Sequence, residues 1–127
     1  MYYRFAFRAK TTDTQRWVYG YYVLETFGAR IYDPIKRNVY CVDQETVGQC
    51  TGLRDKNKKW IYEGDIIESP NGTERRKVYW DDAALGWNCL DAFGSQSRLI
   101  KDMACIGWHA IGNIHDNPEL MEVELDE

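Results

Sequence analysis

The chain has 127 residues, of which 44% are hydrophobic and 28% are charged, and its formal net charge is −4. This usage excludes a disordered or low-complexity chain, and the acidic balance excludes a global positive field that would attract nucleic acid or an anionic membrane. The length favours one domain over residues 1–127, large enough to fold around a core without disulfides. Nine Tyr and five Trp are abundant for this size and suit sheet faces and binding surfaces.

Targeting and cysteine patterns predict a soluble, cytoplasmic protein. There is no run of 18 apolar residues, and residues 1–10 lack the apolar core and cleavage site of a signal peptide. No Cys-x-x-Cys pair occurs, so the thiols are expected to be buried and reduced rather than paired in disulfides or bound to metal. The four cysteines are Cys41, Cys50, Cys89 and Cys105.

The first part of the chain predicts an antiparallel hairpin. Residues 2–10 (YYRFAFRAK) alternate aromatic side chains with other types, which is the period of a half-buried strand. After a polar turn, residues 16–27 (RWVYGYYVLETF) form a second predicted strand. The side chains on one side of that strand are Trp17, Tyr19, Tyr21 and Val23.

A second hairpin and a single helical turn are predicted next. In residues 30–43 (RIYDPIKRNVYCVD) two short apolar runs are separated by turn-forming dipeptides, as a hairpin requires. Asp43 can then cap one helical turn that ends at Gly48.

A short motif occurs twice in the chain. Its first copy is QRWVYG at residues 15–20, and its second is KKWIYEG at residues 58–64. In both copies a polar loop leads into a strand that places a Trp and a Tyr, two residues apart, on one face. The glycine that follows, Gly20 or Gly64, permits a bulge or a tight bend. The repeat therefore predicts a structural role for Trp17 and Trp60.

The second half predicts more short strands. An Asn-Gly turn at residues 71–72 joins the strand entered at residues 66–67 to residues 75–80 (RRKVYW), and a capped turn at residues 81–86 precedes a strand over residues 87–93. Asn117 and Pro118 are expected to open a short terminal helix before an acidic tail over about residues 121–127.

These elements together predict a mainly β fold. We expect a small distorted barrel or sandwich of antiparallel hairpins, with one or two single-turn helices and a short C-terminal helix.

Four blocks in order resemble the YopX family of bacteriophage and prophage proteins. The longest block is residues 42–67 (VDQETVGQCTGLRDKNKKWIYEGDII), and the others are FRAK with RWVYGYY, VYWDD, and IGNIHDNPEL. The resemblance implies a β-rich phage-encoded protein of the bacterial cytoplasm, forming homo-oligomers and without an established biochemical activity. It supplies no catalytic residues. One departure is Lys58, which takes the place of a usual turn glycine, so Asn57 is expected to adopt any left-handed conformation there.

Two metal-dependent interpretations are disfavoured by the sequence. A zinc site would need Cys105, His109 and His115, but Gly107 disfavours the helix that would bring them together. Four carboxylates, with His109 or His115, could in principle converge on Mg²⁺ or Mn²⁺ for hydrolysis, yet Asp65 has a simpler use in a turn and Asp81-Asp82 in a cap. These carboxylates are Glu63, Asp65, Asp81 and Asp82. We therefore expect no metal, no cofactor and no catalytic residues, with a hydrolase as the third and least favoured interpretation.

Single-stranded nucleic-acid binding is the main alternative function. Two basic loops could lie side by side on the sheet, next to aromatic side chains that could stack on bases. The basic residues are Arg54, Lys56, Lys58, Lys59, Arg75, Arg76 and Lys77, and the aromatic ones are Trp60, Tyr62 and Tyr79.

The favoured interpretation is a non-enzymatic, oligomeric binding module that holds a host or phage protein and does not act at a membrane. It depends on the abundance of Trp and Tyr, because one small core is not expected to hide them all, and such residues dominate protein interfaces.

Overall fold

The computed structural model describes residues 6–99 and 105–122. The chain is mainly β, and it divides after Gly52 into two compact units. All strand pairings with an assigned register are antiparallel, and the helical segments of the described residues are single 3-10 turns. The predictions that fall on residues 2–5, 100–104 and 123–127, including most of the acidic tail, lie outside the described residues. The expectation of one domain stays a prediction.

The first unit is an antiparallel sheet with the strand order β4-β3-β2-β1-β5. Its strands are β1 (Phe7–Lys10), β2 (Trp17–Glu25), β3 (Gly28–Asp33), β4 (Asn38–Val42) and the first part of β5 (Gly48–Arg54). A 3-10 turn at Gln44–Thr46 precedes β5, and the Asp43 carboxylate accepts a hydrogen bond from the Glu45 N–H at 3.0 Å. The two predicted hairpins and the capped turn are therefore confirmed.

The core of the first unit is built from small side chains, which are Ala9, Val18, Ala29, Ile31 and Val42. In β2 the buried residues alternate with exposed ones, so Val18 faces the core while Tyr19 faces solvent. The period of two predicted from the sequence is confirmed. The face predicted to carry Tyr19, Tyr21 and Val23 is the exposed one.

The second unit contains the end of β5 and a second sheet with the strand order β10-β9-β8-β7-β11. The unit also holds β6 (Trp60–Tyr62), which pairs with β5. The strands of the second sheet are β7 (Asp65–Glu68), β8 (Arg75–Asp81), β9 (Gly86–Asp91), β10 (Gln96–Arg98) and β11 (His109–Asn113). Its core is formed by Ile61, Ile67, Val78, Cys89, Leu99 and Trp108. A second 3-10 turn follows at Pro118–Met121.

The mainly β prediction is confirmed, but the predicted barrel is wrong, because the described strands form two open sheets. In the first unit β4 meets the end of β1 only at a bridge between Thr11 and Val42. The other edge of β1 is taken by β5, which pairs Gln49 with Phe7, so the sheet continues there instead of closing.

The predicted short C-terminal helix is also wrong, because residues 118–121 form only a 3-10 turn. Asn117 does not cap it, since its Oδ1 instead accepts the Asn113 N–H at 3.3 Å. With four residues and no side-chain cap, the segment cannot reach the length at which α-helical hydrogen bonds become favourable.

The two copies of the Trp-Tyr repeat use their glycines differently. A Cβ on Gly20 would collide with the carbonyl oxygen of Tyr32 and lie 2.7 Å from its carbonyl carbon, so Gly20 permits the close approach of two strands. Gly64 has a left-handed φ of 89° and forms the bend into β7. Both tryptophans, Trp17 and Trp60, are half-buried.

The cysteines are all free thiols, as predicted. Cys50 and Cys89 are buried, whereas Cys41 and Cys105 are exposed, so the expectation that all four are buried is wrong for two of them.

Candidate functional site

An exposed apolar surface covers one side of strands β2 to β4. We call it the aromatic face, and its residues are Tyr19, Tyr21, Val23, Tyr32 and Val39. Register places them together, since Tyr21 pairs with Tyr32 and Tyr32 pairs with Val39. Tyr19, Tyr21 and Tyr32 are 44%, 42% and 39% exposed, and Val39 is 57% exposed. Contiguous exposed apolar surface of this kind is typical of an interaction site.

The aromatic face carries a charge-balanced pair at its border. The Arg30 side chain, opposite Val23 in the register, lies 3.7 Å from the Glu25 carboxylate. Both side chains are more than 40% exposed, so this ion pair is solvated and contributes little stability. Because cation and anion compensate each other, this pair adds no net charge to the face.

Two further apolar side chains lie at the hairpin ends of the same unit. Phe27, in the turn between β2 and β3, is 94% exposed, and Ile35, between β3 and β4, is 76% exposed. The Ile35 turn is fixed by the Asp33 carboxylate, which accepts the Ile35 N–H at 2.9 Å and the Lys36 N–H at 3.1 Å.

The hairpin that joins β5 to β6 forms the basic tip, which we define as Arg54, Lys56, Lys58 and Lys59. All four residues are exposed. Lys58 adopts the left-handed conformation itself, with φ of 63°, so the prediction that Asn57 would do so is wrong.

Asp55 organises the basic tip from beneath. It is only 2% exposed, and its Oδ1 accepts the N–H groups of Asn57 and Lys59 at 2.9 and 3.0 Å. Its Oδ2 accepts the Ala110 N–H of β11 at 2.9 Å, which ties the tip to the second sheet. Sequence reasoning counted the cations and missed this carboxylate, whose partner Ala110 lies 55 residues away.

The other predicted basic cluster is divided between the two faces of β8. Arg75 pairs with Glu68 at 3.1 Å, whereas the neighbouring Arg76 points the opposite way, pairing with Glu74 at 3.3 Å and lying 5.1 Å from the Trp108 ring centre. Burial opposes the charge of Arg76, but contacts with Cys89 and Glu74 outweigh burial and raise its pKa. Lys77 is half-buried and lines a cavity instead.

The aromatic residues proposed to stack on bases are not available as a platform. Tyr62 is 6% exposed, and the hydroxyl of Tyr79 is buried. The Arg54 guanidinium lies 4.2 Å from the centre of the Trp60 ring and covers one of its faces. The three aromatic residues predicted to stack on bases, Trp60, Tyr62 and Tyr79, therefore do not form an exposed stacking surface.

Three of the carboxylates considered for a metal have structural partners. Asp65 accepts the Tyr62 N–H at 2.8 Å, and Asp81 accepts the Ala83 and Ala84 N–H groups at 3.0 and 3.2 Å. Asp82 accepts the Trp80 ring N–H at 2.9 Å. The interpretation of Asp65 and Asp81 as turn formers is confirmed.

Within residues 6–99 and 105–122, no group of three or more His, Cys, Asp or Glu side chains is placed to hold a metal ion. His109 instead lies 3.7 Å from Glu68. A cavity of about 390 Å³ beside the second 3-10 turn has mostly apolar walls, with Lys77 and Asp91 as its charged lining residues. Among the described residues, no Ser, Cys or His side chain lines that cavity.

Comparison with known proteins identifies the family. The family model described as YopX protein matches residues 6–122. The chain therefore belongs to the YopX family, and the resemblance carried by the four sequence blocks is confirmed. A search of curated proteins finds no match. Among the described residues, no helix is long and apolar enough to cross a membrane.

Proposed function

We propose that this YopX-family protein is a non-enzymatic, oligomeric binding module of a bacteriophage or prophage, active in the bacterial cytoplasm. Its aromatic face contacts a second copy of the same chain, and the resulting assembly binds a phage or host protein. The observation that carries the proposal is the aromatic face itself.

The energy for association comes from side chains that the fold leaves in water. Fully burying one large apolar side chain contributes about 1.5 to 3 kcal/mol, so side chains that are 39% to 57% exposed each offer roughly half of that when a partner covers them. Tyrosine is enriched among the residues that dominate binding energy, because it buries a large area with few rotatable bonds. Tyr21 and Tyr32, paired in the register, lie within this surface.

A second copy is the occupant that the charges favour. In a two-fold symmetric contact the same patch meets itself, so the patch must tolerate its own charge pattern. The Glu25–Arg30 pair meets that condition, because each copy presents one cation and one anion, which can exchange partners across the contact. A face bordered by charges of one sign would repel itself.

Phe27 and Ile35 lie outside the aromatic face, at the ends of hairpins. We assign them to the contact with the phage or host protein, since an exposed apolar residue at a rigid turn can insert into a partner's pocket. This assignment keeps the assembly contact and the partner contact on different residues.

The experiment is sedimentation velocity on the wild-type chain and on Tyr21→Glu over a range of concentrations. We expect the wild-type chain to self-associate and Tyr21→Glu to weaken the association at least about 30-fold, because a charge is placed in an apolar contact. The matched control is Phe93→Glu, which adds the same charge at an 81% exposed aromatic residue of the second unit and should associate like wild type.

Thermal melting of both variants shows whether they remain folded, and each substitution lies on an exposed side chain. A wild-type chain that stays monomeric at high concentration contradicts the proposal. Equal association of Tyr21→Glu and wild type also contradicts it, because the contact must then lie elsewhere.

A further inference from the structure

We infer that the basic tip is a second binding site, separate from the aromatic face, and that it binds the phosphate backbone of nucleic acid without reading the bases. The site goes beyond the proposed function, because it lies in the other unit and takes a different class of ligand.

The charge of the basic tip is uncompensated. Residues 54–59 hold four exposed cations and one acid, and that acid, Asp55, is buried with both oxygens engaged by backbone N–H groups. Within the described ranges none of the four cations forms an ion pair with a carboxylate. Arg75 and Arg76, by contrast, are each paired with a Glu. The structure thus selects one of the two predicted basic clusters.

The basic tip is held in one shape before any ligand arrives. The Asp55 N–H donates to the Lys59 carbonyl at 2.8 Å, and the Lys58 N–H donates to the Asp55 carbonyl at 3.0 Å. The Lys56 N–H donates to the Trp108 carbonyl at 3.0 Å, which anchors the hairpin next to the core. A preformed backbone reduces the ordering cost of binding to that of the lysine side chains.

Arg54 has the geometry of a phosphate ligand. Its guanidinium lies 4.2 Å from the Trp60 ring centre, a contact that holds the plane while leaving the N–H edges free to donate outward. The planar fork of arginine matches two phosphate oxygens, and the nearby lysines act as point charges.

The arrangement fits a long polyanion better than a small one. The four cations lie along an exposed hairpin, and none of them lines the cavity beside the second 3-10 turn. Because Trp60 is covered by Arg54 and Tyr62 is buried, base stacking is not expected at this site. Affinity should therefore depend on backbone charge and be similar for different base sequences.

The net charge of −4 does not prevent this binding. At physiological ionic strength the screening length is about 8 Å, so acids remote from the tip repel a bound phosphate only weakly. Contacts within hydrogen-bond distance are screened far less. The local excess of positive charge at the basic tip is therefore expected to determine phosphate binding more than the net negative charge of the chain does.

The test is fluorescence anisotropy of the full chain with a labelled 20-nucleotide single strand and with its duplex, between 50 and 200 mM salt. Four phosphate contacts predict a slope of log affinity against log salt of about −2.8 for the single strand and about −3.6 for the duplex, which is an affinity loss of about 50- to 150-fold over that range. Comparison of the two probes shows whether the site binds the phosphates of single-stranded or of duplex nucleic acid.

The key variant is Lys56→Gln/Lys59→Gln, which should make the salt slope shallower by about 1.5. The matched control is Lys36→Gln/Arg16→Gln, which removes the same charge from exposed residues of the first unit and should leave the slope unchanged. Lys58 is kept, because its left-handed backbone belongs to the turn. Tyr21→Glu should bind the oligonucleotide with the same affinity per chain as wild type. A failure of the self-association proposal can therefore be distinguished from a failure of this inference.

Three results overturn the inference. They are the absence of binding by wild type to both probes, equal effects of the two double variants, and competition by poly-glutamate as strong as by unlabelled oligonucleotide. The last result would assign the tip to an acidic protein surface. Unchanged melting temperatures of the double variants confirm that a loss of binding is not a loss of fold.

Discussion

Asp55→Ala is expected to lower the free energy of unfolding by about 3 kcal/mol, although the residue lies beside an exposed loop. The substitution removes one buried carboxylate that accepts three backbone N–H groups. The Ala110 N–H of β11 would be left without its acceptor, and unmade buried hydrogen bonds cost about 1 to 3 kcal/mol each. The N–H groups of Asn57 and Lys59 can instead donate hydrogen bonds to water, so their lost bonds lower the free energy of unfolding by a smaller amount. Denaturant unfolding measures the change.

Asp55→Asn is the matched control for that prediction. Its amide oxygen can still accept the two N–H groups of the tip, whereas its NH₂ group would face the Ala110 N–H. We expect about half of the loss caused by Asp55→Ala. If Asp55→Ala stays within about 0.5 kcal/mol of wild type, the range typical of surface substitutions, Asp55 does not organise the hairpin.

Gly20→Ala is expected to destabilise the first unit by about 3 kcal/mol or more, because two strands must separate to admit one methyl group. The new Cβ would collide with the backbone of Tyr32, and a backbone cannot rotate away as a side chain can. The displacement would also disturb the pairing of Tyr21 with Tyr32. Thermal and denaturant unfolding, followed by circular dichroism, measure the effect.

The control for Gly20→Ala is Gly86→Ala in β9. A Cβ there would make only ordinary contacts, at 3.6 Å from the end of the Arg98 side chain and 3.9 Å from the Ala84 carbonyl oxygen, so we expect a change below about 1 kcal/mol. Equal effects of the two substitutions would show that close strand approach is not what Gly20 provides.

The sequence could predict the strands but could not show which face of them is buried. The alternation in β2 is plain, yet both faces carry an aromatic residue, with Tyr19 and Tyr21 on one and Tyr22 on the other. The core side is decided by the small residues of other strands, such as Ala9 and Ala29, which pack against Val18. Which face is buried therefore depends on how strands pair across the sheet, and the sequence of one strand alone does not reveal this pairing.

The basic residues illustrate the same limit at the candidate site. As a string, Arg75 and Arg76 read as one cluster, but the period of a strand sends neighbours to opposite faces, where Glu68 and Glu74 neutralise them. The shape of the basic tip depends on Asp55, whose carboxylate is buried and accepts the N–H of distant Ala110. Composition counts such charges without showing which are compensated.

Turn chemistry was the most predictable feature because its causes are local. Asp43 caps its turn and Asp81 closes the next hairpin as expected. The exception is Lys58, where neighbouring hydrogen bonds impose a left-handed backbone on a residue that does not prefer it. The hydrogen bonds of the hairpin there outweighed the conformational preference of the single residue.

The central claim is that the aromatic face is the contact between copies, and hydroxyl-radical footprinting of the wild-type chain at increasing concentration tests it most directly. We expect oxidation of Tyr19, Tyr21 and Tyr32 to fall as the oligomer forms, while Trp80 and Phe93, which are exposed in the second unit, stay equally reactive. Association that leaves the three tyrosines as reactive as in the monomer would contradict the account.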